Sequence, residues 1–290
     1  MEDKVDLKEL IGRLTIETRF PPSLLEKDYH LTEILHKAAE KQIKDLVFKG
    51  GTCLNKCYLD FHRLSEDLDF VYNKDVKDLP KKQIKKILDQ LRREFFEILE
   101  ESGFKIDKEL GKGWKMLTSK KQPIIGLEIM ASYNSLIDNS PQTIKVEISF
   151  RKKLRKNTKR KIIKHKFIDA LGEAVLKKDI EIEVIDLVEN FAEKFRSLIT
   201  RKKIVARDIY DIYFILKNEI LAIDKEVIDL IILKINESEQ FTKKELEEFM
   251  ENLSLKTTEL DDKEIEAVIK SGEEVDIKKM VKFIVEKFGN

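Results

Sequence analysis

The sequence is poor in cysteine, proline and glycine, and it lacks any apolar run as long as a membrane helix. Only two cysteines, Cys53 and Cys57, occur among 290 residues, which excludes a disulfide framework and favours a reducing compartment. No stretch approaches the ~20 apolar residues of a transmembrane helix, and the first residues lack the basic and then apolar order of a secretory signal. We therefore expect a cytoplasmic protein with no membrane partner.

Charge is abundant, and its even balance hides an asymmetry. The chain has 56 Lys and Arg against 55 Asp and Glu, a net charge of +1. Residues 218–290 contain 11 basic and 19 acidic residues and so carry −8, which leaves +9 on the preceding residues. A positive charge of this size on residues 1–217 favours a polyanionic partner such as nucleic acid.

Hydrophobic spacing predicts an α+β domain over residues 1–185 and a helical C-terminal domain over residues 186–290. Long helices are expected at 22–45 and 79–102, and about six further helices after Asp186. Period-two patterns predict strands at 46–48, 68–71, 115–117, 123–131, 143–150, 161–167 and 180–184.

The segment KGGTCLNKCYLDFHRLSEDLDF begins with features suited to a phosphate group. Gly50 and Gly51, between a strand and a helix, allow positive φ and close approach of a phosphate to the backbone, and the helix start offers N–H donors. Thr52 adds a hydroxyl, and Lys56 follows four residues later on the same helix face. We predict that these four residues bind nucleotide phosphates.

The same segment ends with two carboxylates that point to a metal ion. Asp67 and Asp69 are two residues apart on a strand, so they share one face, and their oxygens suit Mg²⁺. A third carboxylate, to hold a second metal ion or to activate the acceptor, is expected from Glu147 on a later strand, with Glu128 as the competing candidate. Phosphate donors beside carboxylate-held Mg²⁺ indicate phosphoryl or nucleotidyl transfer.

In this order, these residues resemble the AbiEii/AbiGii toxin family, a branch of the polymerase-β-like nucleotidyltransferases. The resemblance is carried by GGTCLNKCYLDFHRLSEDLDF as motif I, the upstream element Leu25-Glu26-Lys27-Asp28-Tyr29, Lys145-Val146-Glu147-Ile148 as motif II, Glu193-Lys194-Phe195-Arg196 as motif III and Arg207-Asp208-Ile209-Tyr210-Asp211 as motif IV. It extends over residues 25–214 and implies a mixed sheet followed by a helical domain.

The resemblance also implies an activity: transfer of a nucleotide from an NTP, with a two-metal Mg²⁺ site and tRNA as the acceptor, in a type IV toxin–antitoxin or abortive-infection system with a cognate antitoxin. It assigns the triphosphate to Gly51 and Thr52, the metal to Asp67 and Asp69, and completion of the nucleotide site to Lys194 and Asp208. Without the resemblance, Lys194 is typical of a solvated lysine or a partner of Glu193, and Asp208 of an acid at a helix start.

A basic run over residues 151–166 contains ten Lys or Arg and no carboxylate. It is either a solvated hairpin or a surface that attracts an RNA backbone with salt-dependent affinity. We predict RNA contacts from its first five cations, which are Arg151, Lys152, Lys153, Arg155 and Lys156.

Two alternatives to an RNA-directed nucleotidyltransferase fit the same residues. One is a kinase-like or self-modifying enzyme that transfers phosphate or nucleotide to protein. The other is a non-catalytic protein that binds RNA or a partner on the same fold, although it has no need of both glycines and both aspartates.

Overall fold

A seven-stranded mixed sheet forms the first of two units into which the chain divides. The computed structural model describes residues 6–76, 78–119, 124–150, 153–237 and 240–289, and the boundary between the units falls between Ile185 and Asp186. The strands of the first unit are β1 (Leu46–Lys49), β2 (Asp67–Tyr72), β3 (Trp114–Leu117), β4 (Gly126–Asn134), β5 (Pro141–Ser149), β6 (Lys159–Ile162) and β7 (Glu181–Val184). Its helices are α1 (Leu7–Thr18), α2 (Pro22–Lys41), α3 (Gly50–Cys53) and α4 (Lys81–Glu101), and α3 continues directly as a π-helical segment, Leu54–Tyr58.

The sheet has the strand order β3-β4-β5-β2-β1-β7-β6. The pairs β2/β5 and β1/β7 are parallel, and the other four pairs are antiparallel. The predicted α+β class with a mixed sheet is therefore confirmed.

Alternation over residues 67–70 of β2 separates a buried face from a polar one. Leu68 and Phe70 of β2 are fully buried, and the Phe70 ring packs 5.2 Å from that of Phe95 on α4. Each such side chain contributes roughly 1.5–3 kcal/mol by leaving water. Asp67 and Asp69 take the intervening positions and face the other way. Because a slip of one residue would bury both carboxylates, the apolar pattern also fixes their orientation.

The second unit is helical in all of its described secondary structure. Its helices are α5 (Leu187–Thr200), α6 (Ala206–Lys217), α7 (Lys225–Ile235), α8 (Lys243–Glu251), α9 (Leu253–Lys256), α10 (Lys263–Glu266) and α11 (Ile277–Gly289). Its core includes the fully buried rings of Phe191 and Phe195, and the Phe195 ring lies 5.0 Å from that of Phe288 on α11. None of the helices described in either unit is both long and apolar enough to cross a bilayer.

The element boundaries differ from the prediction in a few places. Helix α2 ends at Lys41, before the predicted 45, and strand β6 covers 159–162 in place of 161–167. The described part of the second unit has seven helical segments, two of them only four residues long, where about six were expected. Helix α1 was not predicted, although Asp6 caps it by accepting from the backbone N–H groups of Lys8 and Glu9.

Candidate active site

Two parallel strands bring the predicted acids together on one face of the sheet. The register pairs Asp67 of β2 with Lys145 of β5, and Asp69 with Glu147. Directly paired residues project from the same face, so both aspartates, Lys145 and Glu147 form one polar surface. All four are partly exposed.

The register also separates the two candidates for the third carboxylate. Glu128 of β4 lies opposite Glu147, one strand farther from the aspartates. Its carboxylate pairs with Lys115 Nζ of the edge strand β3 at 2.7 Å. Glu147 is therefore the acid adjacent to Asp69, while Glu128 already has a cationic partner, and the geometry favours Glu147.

Lys145 places a positive charge among these acids. Its Nζ lies 3.2 Å from Asp67 Oδ2. Partial burial lowers the pKa of Lys145, but the carboxylates of Asp67, Asp69 and Glu147 raise it by more, so the net shift is upward. The spacing of two residues on one strand places Lys145 on the same face as Glu147, and the β2/β5 register brings it opposite Asp67.

These residues suit a divalent metal ion. Mg²⁺ is commonly held by only one or two carboxylates, with water and substrate phosphates as the other ligands. Asp67 and Asp69 supply that minimum from one strand face, and the ammonium at Asp67 stands where a cation is expected. Within the described residues no three His, Cys, Asp or Glu side chains are clustered closely enough to hold an ion, so Glu147 as a third metal ligand stays a prediction.

The glycine pair lies against this carboxylate face. Gly50 has φ of +78°, and a Cβ there would overlap the carboxylate of Asp69. A Cβ on Gly51 would lie 2.6 Å from Nη2 of Arg63, whose buried guanidinium donates to the Leu64 carbonyl at 2.8 Å. Glycine at both positions therefore lets the start of α3 lie close to the Asp69 carboxylate and to the Arg63 guanidinium. Sequence analysis missed Arg63.

Two predicted phosphate ligands are corrected by their burial. The Thr52 side chain is 1% exposed, and its hydroxyl donates to the backbone carbonyl of Asp67. Lys56 is 0% exposed, with its Nζ 2.8 Å from Asp28 Oδ1 and donating to Thr32 Oγ1 at 2.7 Å. The contact with Asp28 is an ion pair in poor hydrogen-bond geometry. Helical spacing correctly placed Thr52 and Lys56 on one helix, but the face that they share is buried, so neither side chain is open to a phosphate.

The upstream element Glu26-Lys27-Asp28 braces the site from α2. The buried carboxylate of Glu26 accepts from the Ser135 hydroxyl at 2.6 Å and from a backbone N–H in the turn between β4 and β5. Lys27 pairs with Glu66, the residue before Asp67, at 3.5 Å, and Asp28 pairs with Lys56 at 2.8 Å. One helical turn thus anchors three parts of the first unit.

The second unit contains a cluster of its own around Lys194. Its Nζ lies 2.8 Å from both Asp208 and Asp211, which are three residues apart on α6, and Arg201 donates to Asp208 at 2.6 Å. The neighbouring Glu193 pairs with Arg196 at 2.7 Å. The predicted residues Lys194 and Asp208 are therefore in direct contact, and Lys194 is not a solvated surface lysine.

The basic run is exposed at its described beginning. Lys153 and Arg155 are exposed and Lys156 is half-buried, whereas Arg151 and Lys152 lie outside the described residues. Later cations of the run have contacts within the unit, such as Arg160 with Glu181 at 3.1 Å and Lys166 over a buried phenylalanine ring.

Sequence comparison identifies the family. The family description "Nucleotidyl transferase AbiEii toxin, Type IV TA system" matches residues 34–282, most of the chain. The chain belongs to the AbiEii family. It is therefore a nucleotidyltransferase, and the predicted family and enzyme class are confirmed. The chain has no significant sequence match among curated proteins.

A solved nucleotidyltransferase structure shares the fold of this chain. The nucleotidyltransferase toxin MenT4 from Mycobacterium tuberculosis superposes with a TM-score of 0.62 at 18% identity, covering 98% of this chain and 89% of MenT4. The structure of JHP933 from Helicobacter pylori gives a TM-score of 0.47 at 17% identity, with coverage of 93% and 95%. The AbiEii match includes both aspartates, Glu147, Lys194 and Asp208. It begins at residue 34, after Glu26-Lys27-Asp28 of α2.

Proposed function

We propose that this AbiEii nucleotidyltransferase uses Mg²⁺ to transfer a nucleotide from an NTP to an RNA acceptor, with tRNA as the acceptor class. The observation that supports this best is the face on which Asp67, Asp69 and Glu147 lie side by side, with Gly50 at the start of α3 close to the carboxylate of Asp69. Carboxylates for a metal ion thus stand next to a place where a triphosphate can approach the backbone.

In this proposal each acid has a separate task. Asp67 and Asp69 hold the divalent ion, which when bound neutralises charge that develops on the phosphates. Glu147 lies beside Asp69 and can accept the proton of the attacking hydroxyl; its alternative task is to hold a second ion. Gly50 and Gly51 offer close backbone approach to the triphosphate.

A nucleotide-binding role is proposed for Lys194 of the second unit, as the family resemblance implies. Lys194 is held by two aspartates, of which Asp208 is the predicted site residue. These two ion pairs restrict the rotamers of the Lys194 side chain and fix the position of its ammonium group. Lys194 was predicted as a phosphate ligand together with Lys56, and it is the less buried of the two.

The direct test is incubation with each labelled NTP, Mg²⁺ and total tRNA, followed by separation of RNA from protein. We expect label on RNA from the wild type and at least about 100-fold less from Asp69→Asn, because electrostatic stabilisation is a large part of such catalysis. Glu147→Gln should also lose activity, whereas the matched change Glu128→Gln, one strand away, should not. Equal transfer by Asp69→Asn would refute the proposal, and label on protein alone would favour the self-modifying alternative.

RNA contact is assigned to the exposed beginning of the basic run. Lys153, Arg155 and Lys156 lie in the connection between β5 and β6, where the first two are exposed and Lys156 is half-buried. If each contacts one phosphate, replacing all three with Gln should reduce the slope of log K against log salt by about 2. An unchanged slope would remove these residues from the RNA surface.

Toxicity and a cognate antitoxin follow from the proposed place in a type IV system. Induced expression of the wild type should arrest bacterial growth, and Asp69→Asn expressed at the same level should not. Arrest by both proteins would separate toxicity from nucleotide transfer. Coexpression of an adjacent open reading frame that relieves the arrest would identify the antitoxin.

A further inference from the structure

The ammonium group of Lys145 lies among three acids of the proposed catalytic face. Lys145 Nζ is 3.2 Å from Asp67 Oδ2, and the negative charges of Asp67, Asp69 and Glu147 all raise the pKa of Lys145. Register places Lys145 opposite Asp67 and two residues before Glu147 on the same strand face. The lysine therefore lies among the acids that are proposed to work with a metal ion.

Without a cation, the carboxylates of this face would repel one another. Adjacent carboxylates on neighbouring strands repel each other, and the register places Asp69, Glu147 and Glu128 in one row across β2, β5 and β4. Lys115 compensates Glu128 at the edge of the sheet, at 2.7 Å. Lys145 compensates Asp67 in the same way, at 3.2 Å, and Lys49 of β1 lies opposite Asp69.

The contact of Lys145 with Asp67 is of a kind that can be exchanged. The two side chains are 31% and 37% exposed, and exposed ion pairs contribute little to stability. The ion pair of Lys56 with Asp28 differs, because these two side chains are 0% and 2% exposed. A dication brings twice the charge to the same oxygens and can therefore replace the ammonium.

We propose that Lys145 is a displaceable counter-cation, which holds Asp67 while the metal site is empty and leaves that carboxylate when a divalent ion binds. The inference rests on the proposed function in one respect, that Asp67 and Asp69 bind the ion. Lys145 then acts as a positioning residue that keeps the strands and acids in register before the metal ion arrives, at the expense of metal affinity.

The test is Mn²⁺ binding to the full chain without nucleotide, measured by calorimetry and by electron paramagnetic resonance of free Mn²⁺. Lys145→Met should bind Mn²⁺ about threefold to tenfold more tightly, since binding no longer competes with an ion pair and a nearby positive charge is gone. Its thermal midpoint should be lower without metal and should rise more with saturating Mn²⁺. The matched variant Lys115→Met, whose lysine pairs with Glu128, should bind as the wild type does.

Each outcome decides between the two proposals. Equal or weaker Mn²⁺ binding by Lys145→Met, with binding by the wild type intact, overturns the counter-cation and leaves the proposed function standing. Absence of Mn²⁺ binding in all variants overturns both, because no ion is then available to displace the lysine. If Lys145→Met does not fold, Lys145→Gln replaces it, with a change in the same direction expected and an unchanged affinity counting against the proposal.

Discussion

Replacing Lys56 with Met tests whether this lysine holds the fold or the substrate. Its Nζ is wholly buried between Asp28 at 2.8 Å and Thr32 at 2.7 Å, with the ring of Phe61 at 5.4 Å. Removing one member of a buried ion pair leaves the other charge uncompensated and costs about 3–5 kcal/mol. Met has a similar length and flexibility, so the lost charge is the main perturbation.

Denaturant unfolding followed by circular dichroism measures this cost. For a unit of this size, a loss of 3–5 kcal/mol lowers the thermal midpoint by about 6–20 °C. The double variant with Asp28→Leu should recover much of the loss, because an apolar pair can replace a buried ion pair. Lys74→Met is the matched control, since Lys74 pairs with Asp45 at 3.0 Å but is 52% exposed, and it should cost less than about 1 kcal/mol.

Nucleotide binding decides the interpretation. Below its unfolding temperature, Lys56→Met should bind NTP as tightly as the wild type, because the ammonium has no exposed surface. A variant of unchanged stability with weakened NTP binding would refute the reasoning and restore Lys56 as a phosphate ligand.

Three further predictions concern other parts of the chain. Gly51→Ala places a Cβ 2.6 Å from the Arg63 guanidinium and should lower the free energy of unfolding by about 1–3 kcal/mol in denaturant titrations; an unaltered midpoint contradicts the contact. Burial and nearby positive charge lower the pKa of His36 from 6.5 to about 4, so the folded state resists protonation and up to about 3 kcal/mol of stability should be lost as the pH falls from 6.5 to 4. His36→Phe should flatten that pH dependence of the free energy of unfolding. An unchanged dependence would mean that groups other than His36 cause it. Lys234→Met should destabilise the second unit by about 3–5 kcal/mol, because the lysine is 1% exposed between two glutamates, while the exposed Lys225 gives a control variant with almost no effect in the same unfolding assay.

Local periodicity was sufficient to predict the orientation of the two acids of β2 that are proposed to bind metal. Asp67 and Asp69 alternate with Leu68 and Phe70, and burial of the apolar pair turns both acids outward. The strand register, however, is a long-range property, so the sequence left Glu147 and Glu128 as alternatives. Pairing of β5 with β2 places Glu147 beside the aspartates.

The same limit explains the error at Lys56. Helical spacing shows that Thr52 and Lys56 share a face, but the direction of that face depends on α2, which supplies the buried partner Asp28. A lysine 28 residues from its partner carries no local sign of pairing. Helix α1 was not predicted, although the sequence contains its signs: the apolar spacing of Leu10 and Leu14 and the cap at Asp6.

The position of the label in the NTP tests the central claim most directly. With α-labelled NTP, Mg²⁺ and tRNA, the wild type should transfer label to RNA and release pyrophosphate, whereas γ-labelled NTP should leave the RNA unlabelled and Asp69→Asn should transfer neither. Transfer of the γ-label to RNA or protein, or transfer of the α-label that survives Asp69→Asn, would contradict nucleotidyl transfer by the carboxylates of β2.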